Sequence, residues 1–387
     1  MARPRHDPQR RRALRTLTAS VLATLVLPAC AEDDTCSRWP EWEAFAGRHI
    51  EADGRVVDFF NEDLRSTSES QSYALFFALV DNDQPLFERI LAWTRRHLSR
   101  GRPDLHLPAW LWGRAEDGSW RILDENTASD GELWIAYALI EAGRLWRRPG
   151  FVDAGRQILA LIRRLAVVDL PGFGLMLLPG VQGFVLPDRW VLNPSYLPLF
   201  VFRRFAAVDP GGPWRQLADN SVALIAGSAP AGFAPDWVAW NGQSFVTEPT
   251  KGATGSYDAI RVYLWAGMTS PRDPLHKRLL AAIPGPARLI AAQGAFAEKI
   301  DTRQGVASGP APAGFAAALV PYLVASGEPA LARRQAALIP TGPAADALHY
   351  YDRCLVLAGK GWMDRRYRFS EDGRLQPAWS PKCSENR

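Results

Sequence analysis

Cysteine is scarce in this sequence: four residues in 387, at positions 30, 36, 354 and 383, with no C-x-x-C pair. The six histidines are scattered and no H-E-x-x-H occurs, so no metal site is indicated and no cofactor is expected. Long hydrophobic runs are missing too. The apolar stretch "LTASVLATLVL" at 17–27 has 11 residues, too few to span a bilayer comfortably. An excess of one charge is also lacking in the body of the chain. The formal net charge is +4, but residues 1–31 hold six arginines against Asp7, which leaves the remainder at −1. A body so close to neutral has no electrostatic footprint for nucleic acid. Finally, no Gly/Ser-rich linker divides the chain; 31 glycines and 30 prolines are spread over many short breaks, as in one domain with many turns.

The basic N-terminus and its short apolar stretch read as an export signal, with Ala29-Cys30-Ala31 fitting an A-x-A cleavage site. The run "RRRALR" faintly resembles a twin-arginine signal. Lipidation of Cys30 is the alternative to simple cleavage, although Pro28 is atypical there. Either way residues 1–31 are set apart from a mature domain at 32–387, and the domain is expected to be periplasmic or secreted. An oxidising compartment would permit a Cys36–Cys383 bridge between the mature termini. Cys354, in "YYDRCLVLAGKGW", reads as a buried thiol.

Apolar residues at helical spacing recur from end to end. The pattern predicts helices over 39–49, 68–80, 85–99, 130–148, 151–166, 195–207, 214–227, 256–268, 274–295, 312–326, 329–338 and 343–359. Strand-like alternation is weak, with room for one short hairpin in the apolar run 172–187. The expected class is all-α. Fifteen tryptophans are many for this length. Trp93, Trp146 and Trp265 fall inside helical patterns and suit a core. Trp110, Trp112, Trp120, Trp190, Trp237 and Trp240 fall in loops or at helix starts, where an indole face can stack on a sugar ring.

Three acids stand at predicted helix starts: Glu69, Asp130 and Asp258. Each alone is an ordinary N-terminal acid, favoured there by the helix dipole. Ser66-x-x-Glu69 even matches a capping box. Helices wound in pairs into one barrel, however, place alternate N-termini on one rim, and the three carboxylates would then share a cleft.

The motifs "WPEWEAF", "TSESQSYALFFAL", "LPAWLWG", "LDENTASDGELWIAY", "MLLPG", "NPSYLPL", "FAPDWV", "SYDAIRVYLWAGM" and "GWMDRRYRFS" follow one another from 39 to 370. In order and number they resemble glycoside hydrolase family 8, and within it the periplasmic endoglucanases encoded with bacterial cellulose synthases. That resemblance implies an (α/α)6 barrel with a groove across one end and an inverting cleavage of β-1,4-glucan. It implies Glu69 as general acid, Asp258 as general base and Asp130 as the acid that holds the sugar at the cleavage point. Asn126, Tyr196, Arg261, Tyr73, Trp110, Trp112 and Trp190 are the expected substrate-binding residues, with Asn126 bonding substrate or an acid. The expected partner is the cellulose chain, met by a monomer in functional association with a cellulose synthase. Relatives that cut xylan, chitosan or mixed-linkage glucan make those the alternative substrates, and a non-catalytic glucan binder is the alternative of another class. The sequence departs from the family's S-E-G-Q-S-Y-G-M at Ser70 and Ala74. A glycine beside the acid can supply a positive φ or a close approach, so Ser70 is the residue that favours the binder.

Overall fold

The computed structural model describes residues 38–379. The expected signal at 1–31, Cys30, Cys36 and Cys383 lie outside the described residues.

Among the described residues, helices dominate: α1 Pro40–His49, α2 Ser68–Val80, α3 Gln84–His97, α4 Ser129–Leu145, α5 Pro149–Leu165, α6 Leu199–Val208 and α7 Trp214–Ser228. They continue with α8 Ala259–Met268, α9 His276–Ala282, α10 Gly285–Gln293, α11 Ala313–Ala325, α12 Pro329–Ala336, the single turn α13 Pro343–Asp346, and α14 Tyr350–Met363. Two kinds of helix alternate. In α4, α8 and α11 nearly every residue is buried, and a helix apolar all round belongs in an interior. α3, α5 and α12 bury one stripe only and carry arginines in their last turns. Inner helices pack on one another, α2 on α4, α4 on α6, α8 on α11 and α11 on α14; each of the first five also meets the outer helix that follows it, and α14 meets α1. The result is the double ring of an (α/α)6 barrel, with α2, α4, α6, α8, α11 and α14 inside.

The chain runs in the same direction along every inner helix, so their N-termini gather on one rim. Aromatic rings fill the barrel below that rim. Phe76, Trp134, Phe200, Trp265 and Phe369 contact one another edge-on, tilted or stacked, with the Phe200 and Phe369 centroids 3.9 Å apart. The inner helices approach closely where a side chain is missing: a Cβ on Gly267 of α8 would stand 2.1 Å from the backbone nitrogen of Tyr322 in α11.

The predicted helices are found, with two breaks and one shift. The span 274–295 divides at Ile283-Pro284 into α9 and α10, and 343–359 divides into α13 and α14. The start of α6 lies at Leu199, behind a 3-10 turn at Pro194–Tyr196. The hairpin straddles the start of the expected run, with β4 Val167–Leu170 before it pairing with β5 Gly174–Leu177 inside it. Four further small sheets decorate the rim and base. They are β1 Ser66–Thr67 with β2 Ala109–Arg114 and β3 Trp120–Thr127; β6 Trp190–Leu192 with β7 Val238–Trp240 and β8 Phe245–Thr247; β9 Thr254–Gly255 with β10 Ala297–Asp301 and β11 Val306–Pro310; and β12 Tyr367–Phe369 with β13 Leu375–Pro377. Most strands have two to five residues, too few to display a two-residue alternation.

Candidate active site

The rim of the inner ring gathers the three acids. Glu69 lies in the first turn of α2, Asp130 in the first turn of α4, and Asp258 immediately before α8. α2 and α4 come together through Gly131. A Cβ there would lie 2.8 Å from Ser68 Oγ, 2.9 Å from Ser68 C and 3.0 Å from Glu69 N, so only glycine lets Asp130 stand beside Glu69.

One guanidinium organises the group. Arg261 Nη2 donates to Asp258 Oδ1 (2.7 Å) and Ser195 Oγ (2.9 Å) and stands 3.7 Å from Asp130 Oδ2. The Arg261 side chain is buried, and its guanidinium lies over the Tyr196 ring, 5.5 Å from the centroid. The turn before α6 holds Ser195 in place. Asn193 Oδ1 accepts from the Ser195 amide and hydroxyl, and the Ser195 carbonyl accepts from Trp265 Nε1. Tyr73 and Tyr351 flank Arg261 in the cavity below, and the Tyr351 hydroxyl donates to the carbonyl of Tyr257, the residue before Asp258.

The acids differ in their surroundings. Burial raises the Glu69 carboxyl well above the usual range, and the Asp130 charge raises it further against the pull of Arg261. Asp258 adds to the effect less strongly than Asp130 does. Burial lifts Asp130 itself to about 6, opposed by Arg261 and by the Gly131 amide that its Oδ1 accepts. Glu69 is thus built to keep a proton, and Asp258 lies open beside a cation. An acid that holds a proton and a carboxylate that can take one are the parts of acid–base hydrolysis. Among the described residues no group of three or more His, Cys, Asp or Glu is placed to hold a metal ion.

Of the residues singled out in the sequence, the structure brings together Glu69, Asp130, Asp258, Arg261, Tyr196 and Tyr73. Five expectations are corrected. The capping box of α2 is Thr67 with Ser70, each side-chain oxygen accepting the other residue's amide at 3.0 Å; Ser66 and Glu69 do not form it. Glu69 is free of capping because Ser70 does that work, and a family glycine at this position has no side chain to do so. Ser70 is helical, not left-handed, so the positive φ considered for this position is not required. Asn126 does not face an acid: its amide donates to the Gln182 carbonyl (2.9 Å) and accepts from the Gln182 amide (3.0 Å), which ties β3 to the loop after β5. Trp112 is 9% exposed and packs with Trp93 and Leu98, with Trp120 stacked on it and Arg55 over its ring, so no face is left for a sugar. Trp240 is likewise core. Trp110 and Trp190 stay partly exposed on β2 and β6 and do not join the acid–arginine group. Cys354 is a buried thiol, as expected.

Three further residues were not singled out. Tyr351 follows no motif. Glu132, one helical position from Gly131, is a carboxyl that burial pushes up to about 8. Asp236, inside the quoted "FAPDWV", carries the start of α8: its Oδ1 accepts from the amides of Ser256 (2.7 Å), Asp258 (3.1 Å) and Ala259 (2.7 Å). Burial, then the Asp258 charge, lift it to about 6.

Residues 14–365 match the model of the family described as "Glycosyl hydrolases family 8". The chain is 60% identical over 379 residues to an endoglucanase of Xanthomonas axonopodis pv. citri (strain 306), covering 97% of this chain and 99% of that one. It is 40% identical to an endoglucanase of Escherichia coli (strain K12), covering 96% and 100%. The fold is similar to the crystal structure of an endo-1,4-D-glucanase from Vibrio fischeri ES114, with a TM-score of 0.82 at 39% identity over 88% of this chain and 99% of that one.

Proposed function

The chain belongs to the glycosyl hydrolases of family 8, and from that membership we propose that it is an endo-β-1,4-glucanase that inverts the cleaved anomeric centre. The observation that carries this reading is the pair of unlike carboxyls around Arg261: Glu69, held protonated by burial and Asp130, and Asp258, bonded to the guanidinium at 2.7 Å. Glu69 gives its proton to the leaving glycosidic oxygen. Asp258 takes a proton from a water that attacks the opposite face of the sugar. Inversion needs room for that water, with carboxyls roughly 6.5–9.5 Å apart. Asp130, buried between Glu69 and Arg261, holds the sugar at the cleavage point and keeps the proton on Glu69. Tyr196 and Tyr73 offer flanking apolar surface, and Trp110 and Trp190 lie on strands where a longer glucan can reach. The chemistry needs two carboxyls and water only.

The names of the relatives support glucan as the substrate. Ser70, the one feature that favoured a non-catalytic binder, supports catalysis instead, since as a cap it leaves the Glu69 carboxyl free. The signal pattern at 1–31 supports export, and we place the activity in the periplasm or outside the cell, on cellulose chains as a synthase delivers them.

The test is release of new reducing ends from carboxymethyl-cellulose by the wild type beside Glu69→Gln, with NMR of the first-formed anomer. Wild-type cleavage yielding α-anomer, abolished in a variant that still binds cello-oligosaccharides, is the expected result. Retained activity in Glu69→Gln would remove the acid assignment, and β-anomer would remove inversion.

A further inference from the structure

Asp236 takes no part in the steps above, yet three amides around the base converge on it. Asp258 occupies the N-cap position of α8 and makes no capping bond there. A side-chain carboxylate at that position ordinarily turns back onto the second or third helical amide, because those donors have no intrahelical partner. An Asp258 so turned would point along its own helix. Here the second and third helical amides, those of Ile260 and Arg261, are taken by the Ser256 and Asp258 carbonyls, and the amides of Ser256, Asp258 and Ala259 converge on one oxygen of Asp236, twenty-two residues before Asp258 in the chain. Asp236 is held in turn by its own amide, which donates to the Thr254 carbonyl at 2.7 Å, and Thr254 belongs to β9, paired with β10. The Asp258 carboxylate is left to bond Arg261.

We propose that Asp236 is a positioning residue for the general base: by capping α8 from outside the helix, it keeps the Asp258 carboxylate turned toward Arg261 and the cleft. The inference rests on the reading of Asp258 as base. It deepens a pattern seen at α2, where Thr67 and Ser70 cap the helix and leave Glu69 free. At α2 the substitute cap is local; at α8 it comes from the loop before β7.

The test compares Asp236→Ala and Asp236→Asn with wild type on cello-oligosaccharides, with a crystal structure of each variant. Alanine leaves three amides without an acceptor, one of them that of Asp258 itself, so the turn that aims the Asp258 carboxylate loses its anchor. Turnover is then expected to fall at least about tenfold, as small misplacements of a reacting group do, with KM within about twofold, since ground-state binding is untouched. In the crystal structure the 2.7 Å contact of Asp258 with Arg261 is lost. Asparagine presents the same Oδ1 to the same amides and restores both the contact and most of the turnover. A merely structural role would not divide kcat from KM in this way, nor be rescued by the uncharged amide. Unchanged turnover in Asp236→Ala, equal impairment of both variants, or an Asp258 that keeps its place in the alanine variant would overturn the proposal. If alanine prevents folding, Asp236→Asn decides: full impairment there overturns it, and recovery supports it. A wild type that cleaves no glucan would remove the proposed function, while the position of Asp258 in the variant crystals would still judge Asp236.

Discussion

Asp130 shows how one side chain serves two neighbours of opposite charge. It lies 3.7 Å from the Arg261 guanidinium, and its charge raises the Glu69 carboxyl. Above its own pKa of about 6 it is an anion, and an anion beside Glu69 disfavours a second one. Because the two titrate as a pair, the alkaline limb of the pH–rate profile reports both. Asp130→Asn keeps the burial but removes the charge, so Glu69 loses its proton more readily. The limb should move to lower pH, by on the order of one unit, with turnover reduced. Rates on carboxymethyl-cellulose from pH 4 to 9 measure this, and an unmoved limb would mean that burial alone protects the proton. None of this could be read from "TASDGE". The acid was legible there as a helix-start residue matching a family motif, but its partners lie at positions 69 and 261, and their charges set its behaviour.

Among elements, the meeting of α2 and α4 decides whether two acids share a site. Gly131 is the contact point, and the nearest atoms to a Cβ there include Ser68 C and Glu69 N, which cannot rotate aside. Alanine would favour the helix by about 1 kcal/mol over glycine if space allowed. Here it must push the two helix starts apart. Gly131→Ala is therefore expected to lower kcat about tenfold or more while changing stability by less than about 2 kcal/mol, because the gain in propensity offsets part of the clash. Turnover and urea unfolding measured together test it; full activity would show that the approach of the helices does not matter. Caps follow the same logic. "STSES" offers three ways to cap α2, and the choice of Thr67 and Ser70 over Ser66 and Glu69 depends on β1, where Ser66 and Thr67 pair with Trp112 and Leu111 and set the chain's entry into the helix.

Over the whole molecule, the rim carries the chemistry and the base closes the barrel. The β12–β13 hairpin docks at the far end of α4, where Tyr137 donates to the Gly373 carbonyl and Arg144 to the Leu375 carbonyl. Glu141, fully buried, accepts from Arg144, Arg204 and the Leu375 amide. Glu141→Ala would strand Arg204 without its counter-charge, at a cost of about 3–5 kcal/mol. Urea unfolding should show that loss, with kcat at 25 °C retained because the acids lie at the other end. A drop below about 1 kcal/mol would mean water replaces the carboxylate.

What the sequence determined by itself was the repeat of apolar helices and the positions of three acids at their starts. Burial on one side or all round is written into local periodicity, so α5 and α8 already differ as strings, and nine ordered motifs pointed to the family. Only the tertiary structure decided which groups meet across that frame. Asn126 faces Gln182 and not an acid, Trp112 is enclosed by Trp93 and Trp120, and Asp236 caps a helix that begins twenty-three residues later. Such bonds join positions far apart in the chain, and the competition among donors and acceptors that selects them exists only once the helices have been brought together.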